Sequence, residues 1–232
     1  MSKKTKILYL FNASRKNRLN NSNYAKDFLY FYENLESTYF DKNLIEIDDN
    51  NEKTFTTSII KFLEKIAIKF FDTPLYFHKF KNKNNLKIIK SANHIVYTSE
   101  TMALSMIIPI KLHLYNLHNK SHTMFVMGLF KEKNLFSKIL KKWILRYFSN
   151  LIFLSKSEFI YAKNNYPEFK EKFYYLPFSI DLNFWKNNDY NLEKKYILFN
   201  GNDLNRDYQL IRNIIKSLNE YNFLIISNKL ML

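Results

Sequence analysis

Tyr196–Ile211 reads YILFNGNDLNRDYQLI, an apolar run closed by Gly201, a polar loop, and a new helical pattern preceded by Arg206. A short apolar run that ends at a glycine and feeds a helix is the opening of a β-α unit. The same alternation extends in both directions. Toward the C-terminus it predicts strands over Tyr196–Asn200 and Phe223–Ser227, with a helix over Tyr208–Leu218 between them. Toward the N-terminus, Lys6–Phe11 (KILYLF) reads as a buried strand, followed by a polar loop at Asn12–Ser22 and a helix over Tyr24–Glu36. Leu44–Ile47 (LIEI) is a short strand, and Thr57–Phe71 carries apolar residues at helical spacing. Thr73–Asn85 is a connector rich in lysine and aromatics. His94–Thr98 is a strand, and Ser99–Ile108 a helix stopped by Pro109. Thr123–Met127 is a strand closed by Gly128 and followed by a helix over Phe136–Phe148. Leu151–Leu154 and Phe173–Leu176 are strands flanking a helix at Ser155–Asn165.

Strands and helices in this alternation build parallel βαβ units, and so an α/β, Rossmann-like, doubly wound parallel sheet. Such sheets bind ligands outside the C-terminal ends of their strands. The expected organisation is a Rossmann-like domain at 1–178, a connector at 179–194 and an incomplete second Rossmann-like domain at 195–232. One β-α-β unit buries its helix face and strand edges poorly. The expectation is therefore a fragment, or a chain whose second half comes from another polypeptide.

The chain of 232 residues is 47% hydrophobic and lacks cysteine, which excludes disulfides and thiolate metal sites. The apolar run after Met1–Lys6 is too short for a secretory signal, and no run approaches the roughly 18 apolar residues of a membrane span. The expected location is the cytoplasm, with contact at the inner face of the membrane left open as one of two readings. A net charge of +15 comes almost wholly from lysine, the arginines being Arg15, Arg18, Arg146, Arg206 and Arg212. Nucleic-acid readers lean on arginine for its fork and its stacking, so no nucleic-acid partner is expected. Two readings of the charge stay open: a bias toward Lys, Asn, Ile, Phe and Tyr, or attraction to an anionic membrane at about 1 kcal/mol per well-placed lysine.

Four segments, in order, resemble a family 4-type glycosyltransferase of the GT-B architecture. Asn93–Ser99 (NHIVYTS) is similar to its strand and following polar loop, and Leu151–Glu158 (LIFLSKSE) to its strand-then-serine opening of a helix. Leu176–Trp185 (LPFSIDLNFW) resembles the interdomain connector, with Asp181 at its Asp and Phe184 or Trp185 at its aromatic. Tyr196–Ile211 resembles the first strand, phosphate loop and helix of the donor domain, in the variant form Gly-Asn-Asp-x-x-Arg-Asp-Tyr. The resemblance implies transfer of a sugar from a nucleotide-sugar to a glycan or lipid-linked acceptor, in cell-surface polysaccharide assembly, with no further cofactor. It also implies a spaced pair of glutamates later in the donor domain, which the chain does not reach. An alternative is a non-catalytic acceptor- or membrane-binding half of a split enzyme, completed by a partner chain.

The donor diphosphate is expected at Gly201, Asn202, Asp203 and Arg206, where free N–H groups, a helix end and a bidentate cation favour an anion. Asp203 or Asn205 capping the helix is the plainer alternative there. On the acceptor side the loops after strands supply Asn12, Ser14, Arg15, Ser99, Glu100 and Gly128. Glu100 is the candidate for proton transfer; alternatively Thr98 or Ser99 caps the helix and Glu100 complements its dipole. Ser155 and Glu158 have the spacing of a capping box. His78, His94, His113, His118 and His122 show no metal-site spacing, and no metal is expected. On Phe136–Phe148, Phe136, Ile139, Leu140, Trp143, Ile144, Tyr147 and Phe148 form one stripe with lysines beside it. That pattern suits either core packing or an interfacial membrane contact.

Overall fold

The computed structural model describes residues 4–12, 15–21, 23–46, 65, 83–130, 135–186, 196–201 and 207–228. It divides into two compact units, Met1–Lys186 and Asn187–Leu232. The first is built on strands β1 (Thr5–Phe11), β2 (Phe40–Glu46), β3 (His94–Tyr97), β4 (Ser121–Val126), β5 (Asn150–Phe153) and β6 (Phe173–Tyr175). They form one sheet in the order β2-β1-β3-β4-β5-β6, and every adjacent pair is parallel. This is a Rossmann-like α/β sheet. The described helices of this unit are α1 (Arg15–Leu19), α2 (Lys83–Ser91), α3 (Glu100–Lys111), α4 (Leu135–Leu145) and α5 (Lys156–Asn165). In the second unit, β7 (Ile197–Asn200), α6 (Tyr208–Ser217) and β8 (Phe223–Ile226) make a parallel two-stranded β-α-β unit.

The period-two alternation of the strands separates two cores. Leu8, Leu10, Ile95, Tyr97, Met124 and Val126 face one side, where they meet Met102, Met106 and Ile110 of α3 and Ile144 and Leu145 of α4. Tyr9, Phe11, Val96 and Phe125 face the other, against Leu29, Tyr30 and Tyr32. Each fully buried Leu, Ile or Phe contributes about 1.5–3 kcal/mol, so these residues hold the sheet.

Several expected elements differ. Tyr24–Glu36 is not a helix: it has a single 3₁₀ turn at Asp27–Leu29, and Tyr30 (φ 47°) and Phe31 (φ 64°) are left-handed. The run Phe28–Tyr32 is apolar all round and offers no stripe. Its rings instead spread over the sheet, Tyr30 lying 4.8 Å from Phe125 and Tyr32 5.3 Å from Tyr9. Lys42 Nζ then donates to the carbonyls of Tyr32, Glu33 and Leu35, each at 3.1 Å, which satisfies acceptors that a helix would have paired.

α3 runs through Pro109 to Lys111 rather than stopping at Ile108. The proline forfeits one hydrogen bond, but it is itself buried, and Ile107 and Ile110 are buried on either side. Bonding resumes with Leu112 N–H donating to Ile108 O at 2.9 Å. α1 falls within the loop expected at Asn12–Ser22, and α2 begins inside the expected connector Thr73–Asn85. β2 begins at Phe40, ahead of the predicted Leu44. The helix expected over Thr57–Phe71 lies outside the described residues, Lys65 excepted.

The described part of the stripe on α4 lies mostly against the core. Ile144 and Phe148 are buried, and Leu140, Trp143 and Tyr147 lie partly buried against the same core, while Ile139 is exposed. The side chain of Phe136 lies outside those described. Among the described residues, no helix is long and apolar enough to cross a membrane.

Candidate functional site

Because all six strands are parallel, the segments that follow them emerge at one edge. The chain steps from β1 outward to β2 on one side and to β3 on the other, so a topological switch point opens between β1 and β3. Asn12 and Arg15 follow β1, Glu46 ends β2, Ser99 and Glu100 follow β3, and Gly128 follows β4. The predicted acceptor-side residues that are described therefore share one mouth. Ser14 lies outside the described residues.

Ser99 caps α3, its hydroxyl accepting from Met102 N–H at 3.4 Å. This frees Glu100 from capping, and its Oε1 instead accepts from the backbone N–H of Met127 in the next loop. Burial pushes the Glu100 carboxyl above its ordinary range; the N–H of Met127 opposes that rise and Glu158 adds to it. Glu158 stands on the other side of the same loop, its Oε1 accepting from Gly128 N–H and Phe130 N–H, both at 3.1 Å. The expected capping box is thus absent: Ser155 Oγ pairs with Ser157 Oγ at 2.8 Å and makes no cap bond. Glu158 is drawn away because the loop at 127–130 presents two unpaired donors, which a carboxylate satisfies better than one exposed helix end. Gly128 bends that loop at φ 126°, where a Cβ is disfavoured.

Across the mouth, Arg15 lies over the ring of Phe28 at 5.3 Å and Arg18 over the same ring at 6.0 Å. Phe28 in turn packs on Phe178 at 5.4 Å. Burial lowers the Arg15 guanidinium from its usual range and neighbouring Arg18 lowers it further, while Tyr30 and Glu46 act the other way. The Tyr30 hydroxyl reaches Met127 Sδ at 3.8 Å, and burial raises its pKa against the pull of Arg15. The mouth therefore combines a cation on an aromatic platform, a phenol, and a carboxyl group whose pKa burial raises. Such a set can bind an anion and take up or release a proton.

A cleft of about 510 Å³ adjoins this region, lined by Asp27, Tyr30, Phe31, Phe178, Ile180 and Asp181 among others. Asp181 closes a local turn, with Oδ1 accepting from Asn183 N–H at 3.1 Å and Phe184 N–H at 3.2 Å. Its Oδ2 accepts from Lys26 N–H at 3.2 Å, and its own N–H donates to Asp27 Oδ1. Trp185 Nε1 donates to Asp27 Oδ2 at 2.7 Å. The Asp and aromatic of the connector motif thus pin residues 180–185 to the segment after α1. Sequence reasoning did not single out Asp27, Tyr30, Phe28 or the cross-loop role of Glu158. The only signal was the aromatic density of Phe28–Tyr32, too apolar for an amphipathic helix.

In the second unit, Gly201 N–H donates to Ile226 O at 3.1 Å, extending the β7–β8 ladder. The helix cap is Asp207, whose Oδ1 accepts from Leu210 N–H at 2.9 Å, rather than Asp203 or Asn205. Asn202, Asp203 and Arg206 lie outside the described residues.

The histidines near the sheet are structural. His122 Nε2 donates to Leu117 O at 2.9 Å, so its Nδ1 accepts from the Tyr97 hydroxyl at 2.8 Å. His94 Nε2 meets Thr123 Oγ1 at 2.9 Å. No group of side chains suited to holding a metal ion occurs among the described residues. The chain matches no protein-family model, and no curated protein matches it.

Proposed function

We propose that this chain is the acceptor-side domain and the first part of the donor domain of a nucleotide-sugar-dependent glycosyltransferase. The observation that carries the reading is the succession of two parallel α/β units, six strands and then β7-α6-β8, joined through the connector that Asp181 and Trp185 anchor. The four sequence segments that resemble family 4-type enzymes fall on β3 and its loop, β5 and α5, the connector, and β7 with α6.

In the proposed reaction an acceptor hydroxyl attacks the anomeric carbon of the donor sugar. The new C–O bond forms as the bond to the diphosphate breaks, and the nucleoside diphosphate leaves with its electron pair. Glu100, with its pKa raised by burial at the switch point, is the candidate to receive the hydroxyl proton. Arg15 and Arg18 supply positive charge at the same mouth. The diphosphate is assigned to the loop after β7, with Arg206 as its cation. Asp207 already caps α6, so the loop rather than the helix end would carry that contact.

A second reading is a chain that completes its donor site with a partner polypeptide. It draws on the apolar residues that the β7-α6-β8 unit leaves exposed, Leu198, Leu210 and Ile226 among them.

Calorimetric titration with UDP-sugars, GDP-sugars and the free nucleotides tests the proposal. Saturable binding that weakens about tenfold or more in Arg206→Ala is the expected result. A folded protein that binds none of them contradicts it.

A further inference from the structure

The opposite edge of the sheet carries a second, differently charged site. A cleft of about 390 Å³ opens there, lined by Lys111, His113, His118, Lys120, Arg146 and Lys172, with no carboxylate in its walls. We propose that it binds a compact, multivalent phosphate anion such as pyrophosphate or a phosphomonoester.

The competing explanation is that these cations only neutralise helix ends. In a parallel α/β sheet the helix C-termini gather at the edge where the strands begin, and α2, α3 and α4 end there. Lys120 Nζ donates to the carbonyls of Lys90 (2.9 Å) and Ala92 (2.5 Å), just where α2 stops. Lys172 Nζ donates to Leu145 O at 3.3 Å and Phe148 O at 2.8 Å, where α4 stops. Two cations thus do serve helix ends. Each helix end carries roughly half a negative charge, about −1.5 for all three, against four full cations. A positive excess remains, and it faces a cavity rather than a carboxylate.

Three of the four lysine and arginine side chains are also held in place before any ligand arrives. Lys120 and Lys172 are fixed by the carbonyls just named, and Lys111 Nζ sits 5.2 Å over the Trp143 ring. His113 and His118 stack with centroids 4.3 Å apart. The segment presenting them is strained: His113, Tyr115 and Asn116 have φ of 55°, 54° and 60°. Left-handed geometry brings the Cβ of a non-glycine residue too close to the backbone carbonyl and is unfavourable. Clusters of such residues persist where a site needs a fixed shape. Preorganised donors around a carboxylate-free pocket are what a phosphate group requires.

Phosphate of this kind is found free in solution or as the headgroup of an anionic lipid such as phosphatidic acid, and two arms separate the sources. One titrates inorganic pyrophosphate into the whole chain; the other measures sedimentation with phosphatidylcholine vesicles containing phosphatidic acid. The test variant is Lys111→Met with Arg146→Met, which keeps the aliphatic stems. The control, Arg212→Met with Lys216→Met, removes the same charge from the second unit. Thermal melts confirm that both fold.

Binding in either arm that weakens about tenfold or more in the test variant, and is unchanged in the control, is expected. Loss only in the vesicle arm assigns the headgroup as the source. No binding in either arm, or equal weakening in both variants, overturns the proposal.

Discussion

His122 offers a sharp test of the packing at the heart of the sheet. It is buried, it donates from Nε2 to Leu117 O, and it accepts at Nδ1 from Tyr97, itself fully buried. Burial lowers its pKa from 6.5 to about 4, and His94 and Lys120 push in the same direction. Between those values the unfolded chain takes up a proton that the folded chain refuses, so stability falls as pH drops from about 6.5 toward about 4. From about pH 7 to about pH 5 the loss is about 2 kcal/mol, or a fall in Tm of about 4–8 °C for a chain of this size. Glu100 works in the opposite sense, because its raised pKa favours the folded state as pH falls; His94, also lowered by burial, adds to the loss. Comparing the protein with His122→Gln cancels both. Thermal melts at paired pH values should show the parent losing about 4–8 °C more than the variant. Equal losses would mean that His122 is solvated or charged in the folded state, and would refute the tautomer and the pairing with Tyr97.

Other expectations follow from the mouth of the sheet. Glu158→Ala leaves the N–H groups of Gly128 and Phe130 without their acceptor and should cost about 2 kcal/mol, with Glu158→Gln about half as damaging, both measured by urea unfolding. Gly128→Ala should lose about 1–2 kcal/mol in the same assay, because φ 126° suits only glycine well. Asp27→Ala removes the acceptor for Asp181 N–H and Trp185 Nε1, so the connector should become sensitive to protease at native pH. An unchanged rate of cleavage at residues 180–185 would show that the connector is held by something else.

Much of the strand order of elements was legible because buried parallel strands leave compact apolar runs. Lys6–Phe11, His94–Thr98 and Leu151–Leu154 each meet a described strand to within a residue or so. What failed did so where tertiary contacts outweigh local pattern. Pro109 would end an isolated helix, yet the burial of Ile107 and Ile110 carries α3 past it. The expected capping box at Ser155 dissolved because Glu158 met two donors from a loop distant in sequence. The segment around Tyr30 took irregular form because Lys42, from β2, supplied hydrogen bonds that no local spacing announces. The candidate site was legible only as loop positions after strands. That those loops share one edge follows from the parallel sheet, whereas the partners of Glu100 and Asp181 come from segments distant in sequence that no local spacing announces.

Hydrogen exchange with and without a nucleotide-sugar tests the central claim most directly. Protection is expected in residues 201–207, the loop after β7 to which the diphosphate is assigned. No change there at saturating donor, or protection confined to residues 111–120 and Arg146 in the first unit, would contradict the glycosyltransferase reading.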